Sequence, residues 1–170
     1  MQTTAVRLYS LEYKEARTYL YAGLFVVGNI VLPQLCHLLP AGGPTWLPIY
    51  FFTLVGAYKY GWRTGLLTAV ASPVVNSLLF GMPAPAVLPA ILLKSCLLAL
   101  IAGWTAARFR RATLLLLAAT VVVYQLLGSL GEWALVGDFH AAVQDFRVGL
   151  PGMALQIFGG WAVLRYLLRR

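Results

Sequence analysis

A single lysine lies deep inside an apolar stretch of the chain, and it is the residue with the clearest capacity for chemistry. Lys94 is flanked by Ile91, Leu92 and Leu93 on one side and by residues 96–100 on the other, with no carboxylate nearby in sequence. A charged side chain at membrane depth costs about 2.5–3.5 kcal/mol and usually faces a cavity or a partner. Two partners are open: an anionic group of a ligand, or Glu132 as a structural ion pair.

Other polar side chains in apolar surroundings are candidates for the same ligand. Amides and imidazole can form hydrogen bonds, and aromatic rings can stack on a ring. The predicted set of binding residues is Lys94, Asn76, Gln125, Glu132, Trp46, Tyr50, Gln34 and His37.

The alternatives for these residues are structural. Asn76 and Gln125 can instead link helices, which contributes about 0.6 kcal/mol on average, and the aromatic residues can form an interfacial belt. Adjacent Cys36 and His37 diverge by about 100° on a helix and cannot easily share a metal. The other acidic cluster, Asp138, His140 and Asp145, is predicted to be a solvated loop. No metal or cofactor is predicted.

Composition determines the environment of these residues. Of the 170 residues, 61% are hydrophobic and only 11% are charged, whereas soluble domains carry about 25% charged residues. The sequence therefore predicts a single all-α polytopic membrane domain in a lipid bilayer. The net charge of +8 does not indicate nucleic-acid binding, because the basic residues fall in short runs between apolar segments. After a short interfacial segment at 1–17, in which a helix is expected, six spans are predicted at about 18–39, 45–60, 64–80, 86–107, 112–135 and 148–168.

The distribution of basic residues predicts the orientation. Eleven of the 13 Lys and Arg fall at the termini or in the connections after the second and fourth spans: Arg7, Lys14, Arg17, Lys59, Arg63, Arg108, Arg110, Arg111, Arg165, Arg169 and Arg170. The connections on the other side contain only Arg147. The positive-inside rule therefore predicts that both termini are cytoplasmic.

With this orientation, the polar residues gather in the outer half of the bundle. Lys94 lies about nine residues below the turn at Pro85, or roughly 13 Å. The inner halves hold little beyond threonines. A channel would need a polar lining throughout, so the pattern predicts a cup that opens outward and is closed below.

The layout resembles a known family, the substrate-binding S components of energy-coupling factor (ECF) transporters. The most similar stretch is Gly56-Ala-Tyr-Lys-Tyr-Gly-Trp-Arg-Thr-Gly65, followed by Leu66, Leu67, Asn76 and Gly81. The resemblance implies uptake of a vitamin-like micronutrient in the plasma membrane of a prokaryote. It also implies a transmembrane coupling subunit and two ATPase subunits as partners. The small-xxx-small pattern that many members use for docking is not matched. Ala22, Gly23 and Gly28 form the predicted docking patch instead.

Two other classes of function remain open at this point. One is an integral membrane enzyme acting on a small or lipid substrate, with Lys94, His37 or Glu132 as acid or base. No recognisable nucleophile-and-base spacing favours it, so the chain is predicted not to be an enzyme. The other is a structural membrane protein, which would not need a polar cup. The lone lysine favours an anionic ligand, and the aromatic residues favour one that contains a ring.

Overall fold

The computed structural model describes residues 9–168, and these residues form an all-α fold. Short connections separate the helices; the second apolar segment is broken by turns, and the sixth is helical throughout but contains a π-helical turn. The helices are α1 (Ala16–His37), α2 (Gly42–Trp46), α3 (Phe51–Tyr60), α4 (Trp62–Phe80), α5 (Leu88–Phe109), α6 (Leu114–Val136), α7 (Phe139–Ala142), α8 (Gln144–Arg147), α9 (Leu150–Ala154) and α10 (Gly160–Leu168). A 3₁₀ turn, Pro48–Tyr50, precedes α3, and a π-helical turn, Leu155–Gly159, joins α9 to α10.

Four of the six predicted segments are single helices, namely α1, α4, α5 and α6. Their ends follow local signals. The hydroxyl of Thr113 accepts a hydrogen bond from the N–H of Leu116 at 3.3 Å and caps the start of α6. Gly137 ends the same helix with a φ of 75°, a conformation that glycine adopts without steric cost.

The second predicted segment is not one helix. After α2 the chain turns at Leu47, whose φ of 45° lies in the left-handed region, and continues through the 3₁₀ turn into α3. Because α3 has only 10 residues, it is about 15 Å long. The part of this segment that precedes α3 thus consists of short turns.

The predicted interfacial helix is not formed by residues 9–15, and residues 1–8 lie outside the described part of the chain. The N–H groups of Tyr9 and Leu11 instead donate to the carbonyls of Lys59 and Tyr60 at 3.0 and 3.2 Å. The chain before α1 is therefore attached to the end of α3, because its backbone donors are satisfied there rather than within a helix.

Basic residues mark one end of the bundle. Lys59 Nζ donates to the carbonyl of Leu167 at 3.1 Å, and the hydroxyl of Tyr58 donates to the carbonyl of Arg111. These contacts bring the start of α1, the α3–α4 turn, the α5–α6 turn and the end of α10 together, and we call this the basic end. The connections 38–50, 81–87 and 137–149 meet at the opposite end, which we call the loop end.

The surface is suited to lipid. Three helices, α1, α5 and α6, are long and apolar enough to cross a membrane, with mean hydropathies of 1.5, 1.8 and 2.0. The exposed face of α1 is an apolar stripe whose members follow helical spacing and are each more than half exposed: Leu20, Leu24, Val27, Val31 and Leu35. Such a stripe is typical of a helix in contact with lipid, and the protein is a multi-pass membrane protein.

Candidate functional site

An ion cluster of three side chains lies at the loop end. Lys94 on α5 is 4% exposed, and its Nζ lies 2.5 Å from Oε2 of Glu132 and 2.8 Å from Oδ2 of Asp145. Of the two partners left open by the sequence, Glu132 is in contact with Lys94 in the structure. The prediction that Asp145 belongs to a solvated loop is wrong, because its carboxylate turns inward to the lysine.

The surrounding helices explain why Lys94 can reach both carboxylates. Gly128 on α6 has no side chain, and a Cβ built there would lie 2.6 Å from Cγ of Lys94. The lysine stem therefore crosses α6 at this glycine. Glu132 is four residues further along α6, about one helical turn, and places its carboxylate on the same face. Asp145 lies in the first turn of α8, which folds back over this end of the bundle.

The ion cluster borders a cavity of about 340 Å³. Much of its wall is apolar, including Pro33 of α1 and Ile91 of α5, and the three connections of the loop end also contribute. The polar or aromatic members of its lining are Lys94, Glu132, Asp145, Asn76, Gln144, Tyr50 and His37. A concave apolar site with a few convergent polar groups is the usual form of a small-molecule site, and such sites measure about 300–1,000 Å³.

Asn76 is the polar group of α4 in this lining, and it is 1% exposed. Its Nδ2 donates to the carbonyls of Asn29 and Ser72 at 2.9 and 3.0 Å. Its Oδ1 is buried without a hydrogen-bond partner among the described residues. Both N–H groups of the amide are thus used within the protein, and its oxygen can accept a hydrogen bond from a ligand.

Asn29 holds the helices on which this site depends, and it was missed by the sequence analysis. Its Oδ1 accepts from the N–H of Phe52 at 3.1 Å, a donor left over at the start of α3. Its Nδ2 donates to the hydroxyls of Thr53 and Ser72 at 3.0 and 3.1 Å. This side chain joins α1, α3 and α4. The available signal was an asparagine in the middle of an apolar segment.

A buried aromatic pair lies beside the cavity. The ring of Tyr50 is centred 5.8 Å from that of Tyr124, and the hydroxyl of Tyr124 donates to Oε1 of Gln156 at 2.8 Å. Gln156 lies in the π-helical turn, and its Nε2 has no partner among the described residues. The pair therefore links the cavity wall to the π-helical turn of the sixth segment.

Three predicted binding residues do not line the cavity. Gln125 is fully buried within the bundle, and both atoms of its amide lack a partner in the described chain. Gln34 buries its Nε2 outside the lining. The main chain of Trp46 packs against Gly152 of α9. The structure therefore places these three residues outside the lining of this cavity, and their role as ligand contacts stays a prediction.

The predicted docking residues do not share a surface. Ala22 is buried, and a Cβ at Gly28 would lie 2.7 Å from the ring of Phe52. Only Gly23 is open, with nothing within 4 Å of a built Cβ. Ala22 and Gly28 thus pack against the chain's own helices, Gly23 remains exposed, and docking at this patch stays a prediction.

The members of the two other candidate clusters, Cys36 with His37 and Asp138 with His140 and Asp145, have different surroundings. His37 lines the cavity while the neighbouring Cys36 does not, as their angular separation predicts. Asp138 accepts hydrogen bonds from the N–H groups of His140 and Ala141 at 2.8 and 3.3 Å and caps α7. Among residues 9–168, no group of three or more His, Cys, Asp or Glu could hold a metal ion.

Comparison of the chain with models of protein families, with curated proteins and with solved structures gives no match.

Proposed function

We propose that this protein is the substrate-binding membrane subunit for uptake of a vitamin-like micronutrient, working with an ATP-driven ECF module. The observation that supports this most is the 340 Å³ cavity whose polar groups converge at one end of an apolar bundle. It is of a size to enclose a small molecule, and its walls bring Lys94, Glu132, Asp145 and Asn76 to one place.

The proposed orientation makes this cavity open outward. The basic residues of the described chain gather at the end opposite the cavity, apart from Arg147 and Lys94. Under the positive-inside rule that end is cytoplasmic, and all six segments cross the membrane. Substrate then enters from outside through the loop end.

The basic end is closed by packed side chains, as expected for a binding subunit that takes its substrate from outside. Tyr60 stacks on Tyr21 and Tyr9, with ring centres 4.0 and 5.8 Å apart, and Lys59 is 4% exposed. In the proposed complex, a partner opens this end to release substrate into the cell. The stretch from Gly56 to Gly65, which resembles the ECF family, lies at this end.

The test is native mass spectrometry and equilibrium binding with the full chain in detergent or nanodiscs. We expect one co-purified small molecule per chain, released unaltered. Ala90→Phe places a ring into the cavity wall and removes that molecule, whereas the matched control Ala119→Phe changes an exposed residue of α6 and retains it.

Three results would contradict the proposal. Chemical turnover of the bound molecule would indicate an enzyme. Absence of any bound molecule, even after incubation with cell extract, would favour a structural protein. Uptake into proteoliposomes by this chain alone, without an ECF module, would show that no ATP-driven partner is needed.

A further inference from the structure

The ion cluster has an unbalanced charge. One ammonium, Lys94, meets two carboxylates, Glu132 and Asp145, so the formal charge of the cluster is −1. Lys94 is 4% exposed, and the two acids are 14% and 13% exposed. An excess charge that is removed from water is costly unless an opposite charge compensates it. Since two carboxylates already contact Lys94, the charge of the cluster argues against the anionic ligand that the sequence favoured.

The cavity also contains hydrogen-bond acceptors that have no partner. Glu132 and Asp145 each contact Lys94 through one oxygen, and their other oxygens have no hydrogen bond to any described residue. Oδ1 of Asn76 is also without a partner, while its amide hydrogens are both used. The cavity thus offers unused acceptors. Oδ1 of Asn76 is fully buried, and a ligand donor that reaches it would remove the cost of a buried unpaired acceptor. The second oxygens of the two carboxylates can accept further bonds from the same ligand.

We propose that the cavity takes an organic cation: a molecule with a positively charged N–H donor group, such as an amine, an amidine or a protonated nitrogen heterocycle, joined to an apolar body. The donors meet the free oxygens of Glu132, Asp145 and Asn76, and the apolar body lies against Pro33, Ile91 and their neighbours. This inference rests on the proposed function, since it names the substrate class of that site. Lys94 then orients the two carboxylates rather than binding the ligand.

Three small probes of similar shape and different charge test the proposal: benzamidinium, benzamide and benzoate. Each is titrated into the full chain in nanodiscs, and binding is measured by ligand-observed NMR with competition against any co-purified molecule. We expect benzamidinium to bind at least about tenfold more tightly than the other two, because only it supplies both charge and paired donors.

Two matched variants test whether Asp145 is responsible for the preference for benzamidinium. Asp145→Asn makes the cluster neutral while Lys94 keeps Glu132, so the preference for benzamidinium over benzamide falls by about tenfold. Asp138→Asn changes an exposed carboxylate of the same connection that does not line the cavity, and it keeps the wild-type preference. If Asp145→Asn fails to fold, the ranking of the three probes by the wild-type protein decides.

The outcomes separate this inference from the proposed function. Tighter binding of benzoate, equal binding of all three probes, or binding of none overturns the inference. A co-purified anion overturns it too, but leaves the proposed function intact. The proposed function fails separately when mass spectrometry finds no bound molecule of any charge.

Discussion

Replacing Lys94 by methionine is the most direct test of the ion cluster. Methionine keeps a flexible apolar side chain of similar length but leaves Glu132 and Asp145 facing each other without a cation. Removing one partner of a buried ion pair costs about 3–5 kcal/mol. Because the two acids are 14% and 13% exposed, we expect the low end, a loss of about 3 kcal/mol in the free energy of unfolding.

The assay is unfolding by sodium dodecyl sulfate in mixed micelles, followed by tryptophan fluorescence. The charge control is Arg147→Met, which removes an exposed basic residue at the same end of the bundle and should change stability by less than about 0.5 kcal/mol. The triple variant Lys94→Met/Glu132→Gln/Asp145→Asn has no uncompensated charge. It should recover most of the loss, since the large cost of breaking a buried ion pair comes from the charge that is left unpaired.

Two results would refute the reasoning. If Lys94→Met unfolds with Arg147→Met at the wild-type detergent concentration, Lys94 does not compensate the two acids. If the triple variant is as unstable as the single one, the loss arises from the packing of the lysine stem and not from charge.

Three further substitutions test the supports of the site. Gly128→Ala adds a Cβ 2.6 Å from Cγ of Lys94 and should lower the free energy of unfolding by about 1–3 kcal/mol. The control Gly23→Ala lies in open space on α1 and should be neutral or stabilising. The two variants are compared by thermal unfolding. Asn29→Ala leaves the Phe52 N–H unpaired and should cost about 1–3 kcal/mol, and unchanged hydrogen exchange at the start of α3 would contradict this. Tyr124→Phe removes the donor to Gln156 and should cost a similar amount, about 1–3 kcal/mol, measured by detergent titration; a neutral effect would mean that this bond is not formed.

Features that depend on the local sequence were predictable. Long apolar runs bounded by Gly, Pro and basic residues predict α1, α4, α5 and α6, because lipid requires the backbone to satisfy its own hydrogen bonds. The pair of Lys94 with Glu132 was also within reach, since an isolated charge in an apolar run needs a partner and few acids are available: the chain has five.

Features that depend on how segments pack were not predictable. Asp145 looked like a loop residue because it lies in the connection between the fifth and sixth apolar segments, and only the fold of α7 and α8 over the bundle brings it to Lys94. Gln125 and Asn76 look alike in sequence, yet the rotation of α6 buries one away from the cavity while α4 presents the other to it. Composition does not determine which face of each helix points to the cavity. Only part of the predicted ligand set therefore lines it.

The short length of α3 has a consequence for biogenesis. A helix of 10 residues covers about half of the roughly 30 Å hydrocarbon core, so this segment cannot be inserted as an independent span. In the six-span arrangement proposed above, α3 must enter the bilayer together with α4 as a hairpin. In the folded protein, the side chain of Asn29 on α1 accepts a hydrogen bond from the N–H of Phe52. Because α1 is synthesised before α3, Asn29 is available when the N–H of Phe52 needs an acceptor.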